Sequence, residues 1–285
     1  MLALAAGASS LYEPFGPTGF REISQRFPII GSQNGLSSEQ VAALIEKIAG
    51  LRGRLHGQTR SGQKTSLRTV LLGSRTKHSF RLARIRPWLS TIIWKDPHAI
   101  MLVSDIVETD IPVVVTARRA RAHAGSYKRL GWQSRAAEIY PRWRARFGAD
   151  PLTEKWLENV QDPVVSGALI WRMSYLPLVR AKCLSSIEWV TADDLEADEE
   201  RAYRDLYRRL SLKPTSRFET QLRRRRRASG AAIPRSGATH DWARSVEGVN
   251  AYWKDLLTPE DVSTVDSLTA DLEATLFARR PVREK

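Results

Sequence analysis

The chain alternates short β-branched apolar runs with longer stretches of helical period. Val113 to Ala117 is one such run. It stops at Arg118 and Arg119, and a helix-compatible segment follows to Trp132. That order predicts a buried strand and its crossover helix. Thr91 to Trp94 predicts another strand, closed by Lys95-Asp96-Pro97, with a helix over His98–Glu108. Ile187 to Thr191 predicts a further strand. A loop at Asp193-Asp194-Leu195 and a helix through the charged segment to Arg209 follow it. Leu11 to Phe15 reads as a short strand or extended turn, because Glu13 precedes Pro14 and is biased away from the α region. Residues 1–10 read as the end of a small-residue helix.

Helix boundaries are written in capping residues. Ser37-Ser38-Glu39-Gln40 has capping-box character and leads into Val41, Leu44, Ile45 and Ile48 at helical spacing. Asp162-Pro163 is an N-cap and first-turn pair. It opens the apolar segment Val164–Ser185, the expected main buried helix, with a kink at Pro177. Thr258-Pro259-Glu260-Asp261 caps a final helix whose apolar set is Val262, Val265, Leu268, Leu272 and Leu276. Gly, Pro, Ser and Arg predict irregular loops around 53–80 and 213–243. Strands alternating with helices predict an α/β fold, a parallel sheet flanked by helices, in a single domain over 1–285. Ligands of such sheets sit beyond the carboxyl ends of the strands. Glu13, Lys95 and Arg118 fall at three of those ends.

Composition narrows the partners. The 285 residues carry a formal net charge of +14, which attracts nucleic acid, acidic lipid surfaces, nucleotides or acidic sugars. Arg223 to Arg227 form one run, and Arg142, Arg144 and Arg146 another. The five-arginine run lacks interleaved aromatics, which weighs against nucleic acid and leaves a basic loop near an anionic ligand, or a solvated one. Cys183 is the single cysteine, so an internal disulfide and a cysteine-rich zinc site are excluded, no metal is expected, and the thiol reads as a packing group. No apolar run approaches the ~20 residues of a membrane helix. The opening Met-Leu-Ala-Leu-Ala-Ala has no basic segment and too short an apolar one for an export signal, which places the chain in the cytoplasm.

A strand that delivers an arginine and then a serine to a helix is a device for holding phosphate, since guanidinium, helix dipole and orphan N–H groups act together. By pattern alone, a strand and crossover helix with arginines in water is the commoner outcome.

The stretch from Val113 to Trp132 resembles the 3′-phosphate-binding strand–loop–helix of sulfotransferases that use 3′-phosphoadenosine 5′-phosphosulfate (PAPS). Arg118 and Ser126 stand at the family positions that bind the cofactor's 3′-phosphate, and Lys-Arg-Leu-Gly-Trp ends the motif. Arg119 replaces the usual His, Asp or Asn, and Ala120 replaces a proline. Tyr12-Glu13-Pro14-Phe15 is similar to the Glu-Pro motif of carbohydrate sulfotransferases, which implies that Glu13 is the general base for an acceptor hydroxyl. The Lys95-Asp96-Pro97 likeness implies that Lys95 faces the sulfuryl group and that Asp96 is a turn or cap residue. His98 is a second candidate base. Arg244-Ser245, Trp253-Lys254 and Leu257-Thr258-Pro259-Glu260 look like the family's closing segment.

The resemblance implies a P-loop-NTPase-like sulfotransferase fold and PAPS as co-substrate. The acceptor would be a small molecule or glycan, that is, a carbohydrate or glycolipid hydroxyl. The family's Arg-Ser-Gly-Thr-Thr loop for the 5′-phosphosulfate has no counterpart before Glu13. The first strand and loop would then be missing, through the assigned start or trimming, or the chain is a catalytically dead relative. Survival of Glu13, Lys95, Arg118 and Ser126 favours a missing segment. A basic nucleic-acid-binding protein and a non-catalytic relative that binds a partner are the competing readings.

Overall fold

The computed structural model describes residues 1–31, 35–56, 74–227 and 251–278. The chain divides into two compact units, Met1–Glu108 with Asp205–Gln221, and Thr109–Arg204 with Leu222–Lys285. The architecture is α/β, mostly helical, with small parallel sheets.

In the first unit, β1 (Ala8–Tyr12) pairs in parallel with β2 (Thr91–Lys95), in a register that sets Ala8 opposite Thr91 and Tyr12 opposite Lys95. Residues 1–10 are therefore not a helix end: a 3-10 turn at Leu2–Leu4 leads straight into β1. The small residues serve strand packing instead, since Ala8 and Ser9 are buried beside Leu11. Helix α1 (Ser38–Ala49) begins on the expected capping box, with Ser37 Oγ accepting from Gln40 N–H and Gln40 returning a bond to Ser37 N–H. Helix α2 (Arg75–Arg84) starts at the Ser74 cap and packs Phe80 edge-on to Phe20. Part of the expected loop over 53–80 is thus helical, and residues 57–73 lie outside the described set. A 3-10 segment at Pro97–Leu102 and the short α3 (Val103–Ile106) occupy the helix expected over 98–108.

In the second unit, β3 (Val114–Ala117) runs parallel to β4 (Glu188–Thr191), with Val114 opposite Glu188 and Ala117 opposite Thr191. The expected single sheet is thus present as two separate two-stranded sheets among the described residues. Helices α4 (Ala120–Leu130), α5 (Ala136–Phe147), α6 (Pro151–Trp156) and α7 (Pro163–Arg180) follow in order, with β4 after α7. Helix α7 is the core helix, buried from Val164 through Met173, and it runs past Pro177 to Arg180. Its Gly167 permits the close approach of α4, because a Cβ there would lie 2.9 Å from the Ala124 Cα.

Thr191 and Asp194 exchange bonds between side chain and N–H, a capping box that starts α8 (Ala192–Arg209) immediately. Asp193-Asp194-Leu195 is therefore a first turn, not a loop. The helix is interrupted at Asp198, whose carboxylate caps the next turn at Arg201 N–H. The five arginines expected in a loop lie at the end of helix α9 (Ser216–Arg227), because Phe218 and Leu222, four residues apart, are buried and anchor one face. Helix α10 (Pro259–Ala278) buries Val265, Leu268, Leu272 and Leu276. Among the described residues no helix is long and apolar enough to cross a membrane.

The core of the second unit encloses a charge. Arg172 on α7 donates to both oxygens of Asp150 at 2.6 and 3.0 Å, to both oxygens of Asp271 at 2.7 and 3.1 Å, and to the Leu268 carbonyl at 3.0 Å. Burial alone would push the Asp150 carboxyl up. Arg172 and Thr153 outweigh it and hold the group below the usual carboxylate range. Removing one partner of a buried pair costs up to about 3–5 kcal/mol when the other charge is left alone, and Arg172 would keep Asp271. Asp150→Ala is expected to lower unfolding stability by about 2–3 kcal/mol, below that limit, read as a fall in the urea midpoint with an unchanged slope.

Candidate functional site

Each unit presents charged side chains at the carboxyl end of a parallel strand pair. In the first unit the register places Tyr12 beside Lys95, and Glu13 N–H donates to the Lys95 carbonyl at 2.8 Å. Glu13 has φ +46, a left-handed conformation that costs a non-glycine residue about 1–2 kcal/mol. Surrounding bonds hold it there. Gly16 N–H reaches the Glu13 carbonyl, Phe20 N–H reaches the Pro14 carbonyl, and Phe15 N–H reaches Asp96 Oδ2 at 2.5 Å. Gly19 is needed for this turn, since a Cβ on it would sit 1.9 Å from the Pro14 oxygen.

One residue that the sequence pattern does not mark, Arg75, completes this strand end. The Arg75 guanidinium lies over the Tyr12 ring, 3.8 Å from its centre, and Lys95 Nζ lies 5.8 Å from the same ring. Burial raises the Tyr12 phenol above its ordinary pKa, the Glu13 carboxylate adds to that, and Arg75 opposes it. Carboxylate, phenol and two cations therefore share one strand end. Only the packing of α2 on β1 brings Arg75 to Tyr12, and the capping signal at Ser74 was the one local trace of it.

Asp96 is more than a local cap. It receives His98 N–H at 2.9 Å and, across 81 positions, Phe15 N–H. Desolvation pushes its carboxyl up to about 7, with the nearby Glu13 charge adding to the rise against the backbone donors. His98 packs its ring against Phe27.

In the second unit Arg118 follows β3 directly, and its carbonyl accepts from the buried Trp171 indole at 3.0 Å. Its neighbours are neutralised. Arg119 pairs with Asp193 and Glu273 and lies over Phe277, while Arg121 pairs with Asp266. Among the described residues no carboxylate pairs with Arg118. Its charge is felt by three part-buried side chains, His123, Tyr127 and Tyr175. Desolvation and then Arg118 push His123 down to about 3, so its imidazole is neutral, and desolvation raises Tyr127 and takes Tyr175 up to about 12 against the pull of Arg118. His123 Nε2 is buried without a hydrogen-bond partner. Helix α4 begins here with no side-chain cap. The Glu273 carboxylate, raised by burial, takes the Ala120 N–H and Arg119.

Ser126 is elsewhere on α4. It lies in the second turn, buried, with its hydroxyl bonded to the Tyr252 hydroxyl and close to the Ala122 carbonyl. The structure thus places Glu13 beside Lys95, and it places Arg118 among aromatics while Ser126 is engaged with Tyr252. Arg244 and Ser245 lie outside the described residues. In the basic run Arg225 is held by Glu199 at 2.5 Å, and Cys183 is buried, as a packing thiol should be. No cluster of metal-ligating side chains occurs among the described residues. Compared with family models, curated proteins and solved structures, the chain matches none.

The raised Asp96 carboxyl gives the first unit a pH signature. A group with folded pKa about 7 and ordinary value 3.8 favours folding fully only below about 4, and that contribution is lost as pH rises through about 7. Asp96→Asn cannot ionise. Its stability relative to the parent, read from urea midpoints, is expected to improve between pH 4.5 and pH 7.5. A gap that does not change across this range would show that Asp96 stays ionised when folded.

Proposed function

We propose that this protein is a PAPS-dependent sulfotransferase of the P-loop-like fold, moving a sulfuryl group to a hydroxyl of a carbohydrate or glycolipid-type acceptor. The observation that carries this reading is the contrast among three arginines. Among the described residues Arg119 and Arg121 are paired with carboxylates, whereas Arg118, at the end of a parallel strand, is not. A guanidinium without a carboxylate partner there suits a phosphate dianion. The resemblance of the surrounding residues to the family's 3′-phosphate element points the same way.

The chemistry asked of the other strand end is modest. Sulfuryl transfer, like phosphoryl transfer, depends on positioning and on cations near the moving group. Glu13 takes the proton of the acceptor hydroxyl as its oxygen bonds to sulfur. The bond from sulfur to the phosphate oxygen breaks, and 3′-phosphoadenosine 5′-phosphate leaves. Lys95, with Arg75 nearby, supplies positive charge at that end.

The test separates nucleotide binding from transfer. Adding 3′-phosphoadenosine 5′-phosphate is expected to raise the melting temperature. Arg118→Ala should abolish the rise, and Ser126→Ala should reduce it less because its hydroxyl is already engaged. Glu13→Gln should keep the rise and lower transfer from labelled PAPS by about a hundredfold or more, the scale of a lost general base. A melting temperature indifferent to the nucleotide, or a rise that Arg118→Ala leaves intact, overturns the assignment.

A further inference from the structure

Three of the four large apolar side chains exposed among the described residues lie between residues 82 and 88 of the first unit. Ile85 is 74% exposed and Trp88 70% exposed, with Leu82 close behind in sequence. They recur at every third residue. The backbone between them closes with turns of that size: Arg86 N–H reaches the Ala83 carbonyl and Leu89 N–H reaches the Arg86 carbonyl. The opposite face of α2 is anchored inward by Thr76, Phe80 and Ala83, so the apolar edge is held outward by the fold.

The charged residues along this stretch of sequence are all basic. Arg84 and Arg86 flank Ile85, between Leu82 and Trp88. Arg84 Nε bonds the Leu51 carbonyl at 2.6 Å and Arg86 Nη1 the Ala8 carbonyl at 3.2 Å. Carbonyls orient a guanidinium without neutralising it. Between Glu46 and Asp96 the sequence contains no acidic residue at all.

We propose that this edge docks the protein on an anionic phospholipid surface, with Trp88, Ile85 and Leu82 entering the interface and the flanking cations meeting the headgroup phosphates. An amphipathic indole and aliphatic side chains ringed by arginine are the composition of an interfacial anchor. A nucleic acid would use the arginines and leave Ile85 and Leu82 in water. A stable pair of copies buries roughly 1,200 Å² or more, far above what three side chains offer, and would bring two all-basic edges together. The inference is independent of sulfuryl transfer.

The full chain is to be sedimented with vesicles of phosphatidylcholine alone and of phosphatidylcholine with phosphatidylglycerol. Binding is expected only to the anionic vesicles, weakening as salt is raised. Ile85→Ser combined with Trp88→Ser should weaken that binding by about tenfold or more. Both residues are exposed, so the melting temperature and its response to nucleotide should be unchanged. Binding unaffected by the double substitution would place the contact elsewhere and overturn the proposal. So would equal binding to neutral vesicles, no binding to either, or a change in oligomeric mass on substitution.

Discussion

The second unit is organised around one buried cation. Arg172 spends all its donor directions on Asp150, Asp271 and a helix carbonyl, and in doing so it joins α7 to the start of α6 and to the middle of α10. Asp150 is also the N-cap of α6, receiving Thr153 N–H and hydroxyl. Capping, ion pairing and helix packing therefore hang on the same carboxylate. A hydrophobic core of Trp143, Trp171 and Leu268 could be assembled in several helix arrangements, since apolar contact is not directional. A guanidinium with five satisfied hydrogen bonds admits far fewer, so the pair contributes specificity of arrangement as well as stability. Helix α7 is tied in this way and also holds the Arg118 carbonyl through Trp171. The position of the unpaired arginine is thus a consequence of the same core.

Local signals in the sequence translated faithfully into local structure. The capping box at Ser37, the Asp162-Pro163 start, the Thr258 start and the strands ending at Lys95 and Ala117 all stand where spacing placed them. Each of these depends on residues within a few positions of one another. The errors over residues 1–10 and over the arginine run have the opposite property, and the one at Asp193-Asp194 is a local capping box that was missed. Ala8 and Ser9 look like helix residues until Thr91 and Ile92 are laid beside them. The arginine run looks like a loop until Phe218 and Leu222 are given something to pack against. The Asp193-Asp194 pair looks like a loop until its bond to Thr191 is counted as a capping box.

The candidate sites divide along the same line. Glu13, Lys95 and Arg118 were legible because strand ends are legible, and parallel pairing then sets Glu13 N–H on the Lys95 carbonyl. Arg75 was not legible, because it lies 63 positions from Tyr12 and meets it only through the docking of α2. The double duty of Asp96 was half legible: the cap to His98 is local, whereas the bond to Phe15 spans the unit. That second bond is what fixes the strained turn after Glu13, so a residue read as a turn former positions the carboxylate read as a base.

Net charge says little about where an anion binds in so basic a chain. Several arginines here are already spoken for: Arg119, Arg121, Arg172 and Arg225 each face a carboxylate, and Arg180 closes the end of α5 through three carbonyls. Such pairs are structural whether or not a ligand exists. Arg118 differs in having no carboxylate partner among the described residues, beside a neutral His123 and the phenols of Tyr127 and Tyr175. His123 beside it is held uncharged, so the local charge is that of a single guanidinium, which a single phosphate would compensate. Among the described residues the nearby carboxylates are committed to Arg119 and Arg121, which leaves Arg118 as the cation that the proposed nucleotide phosphate would pair with.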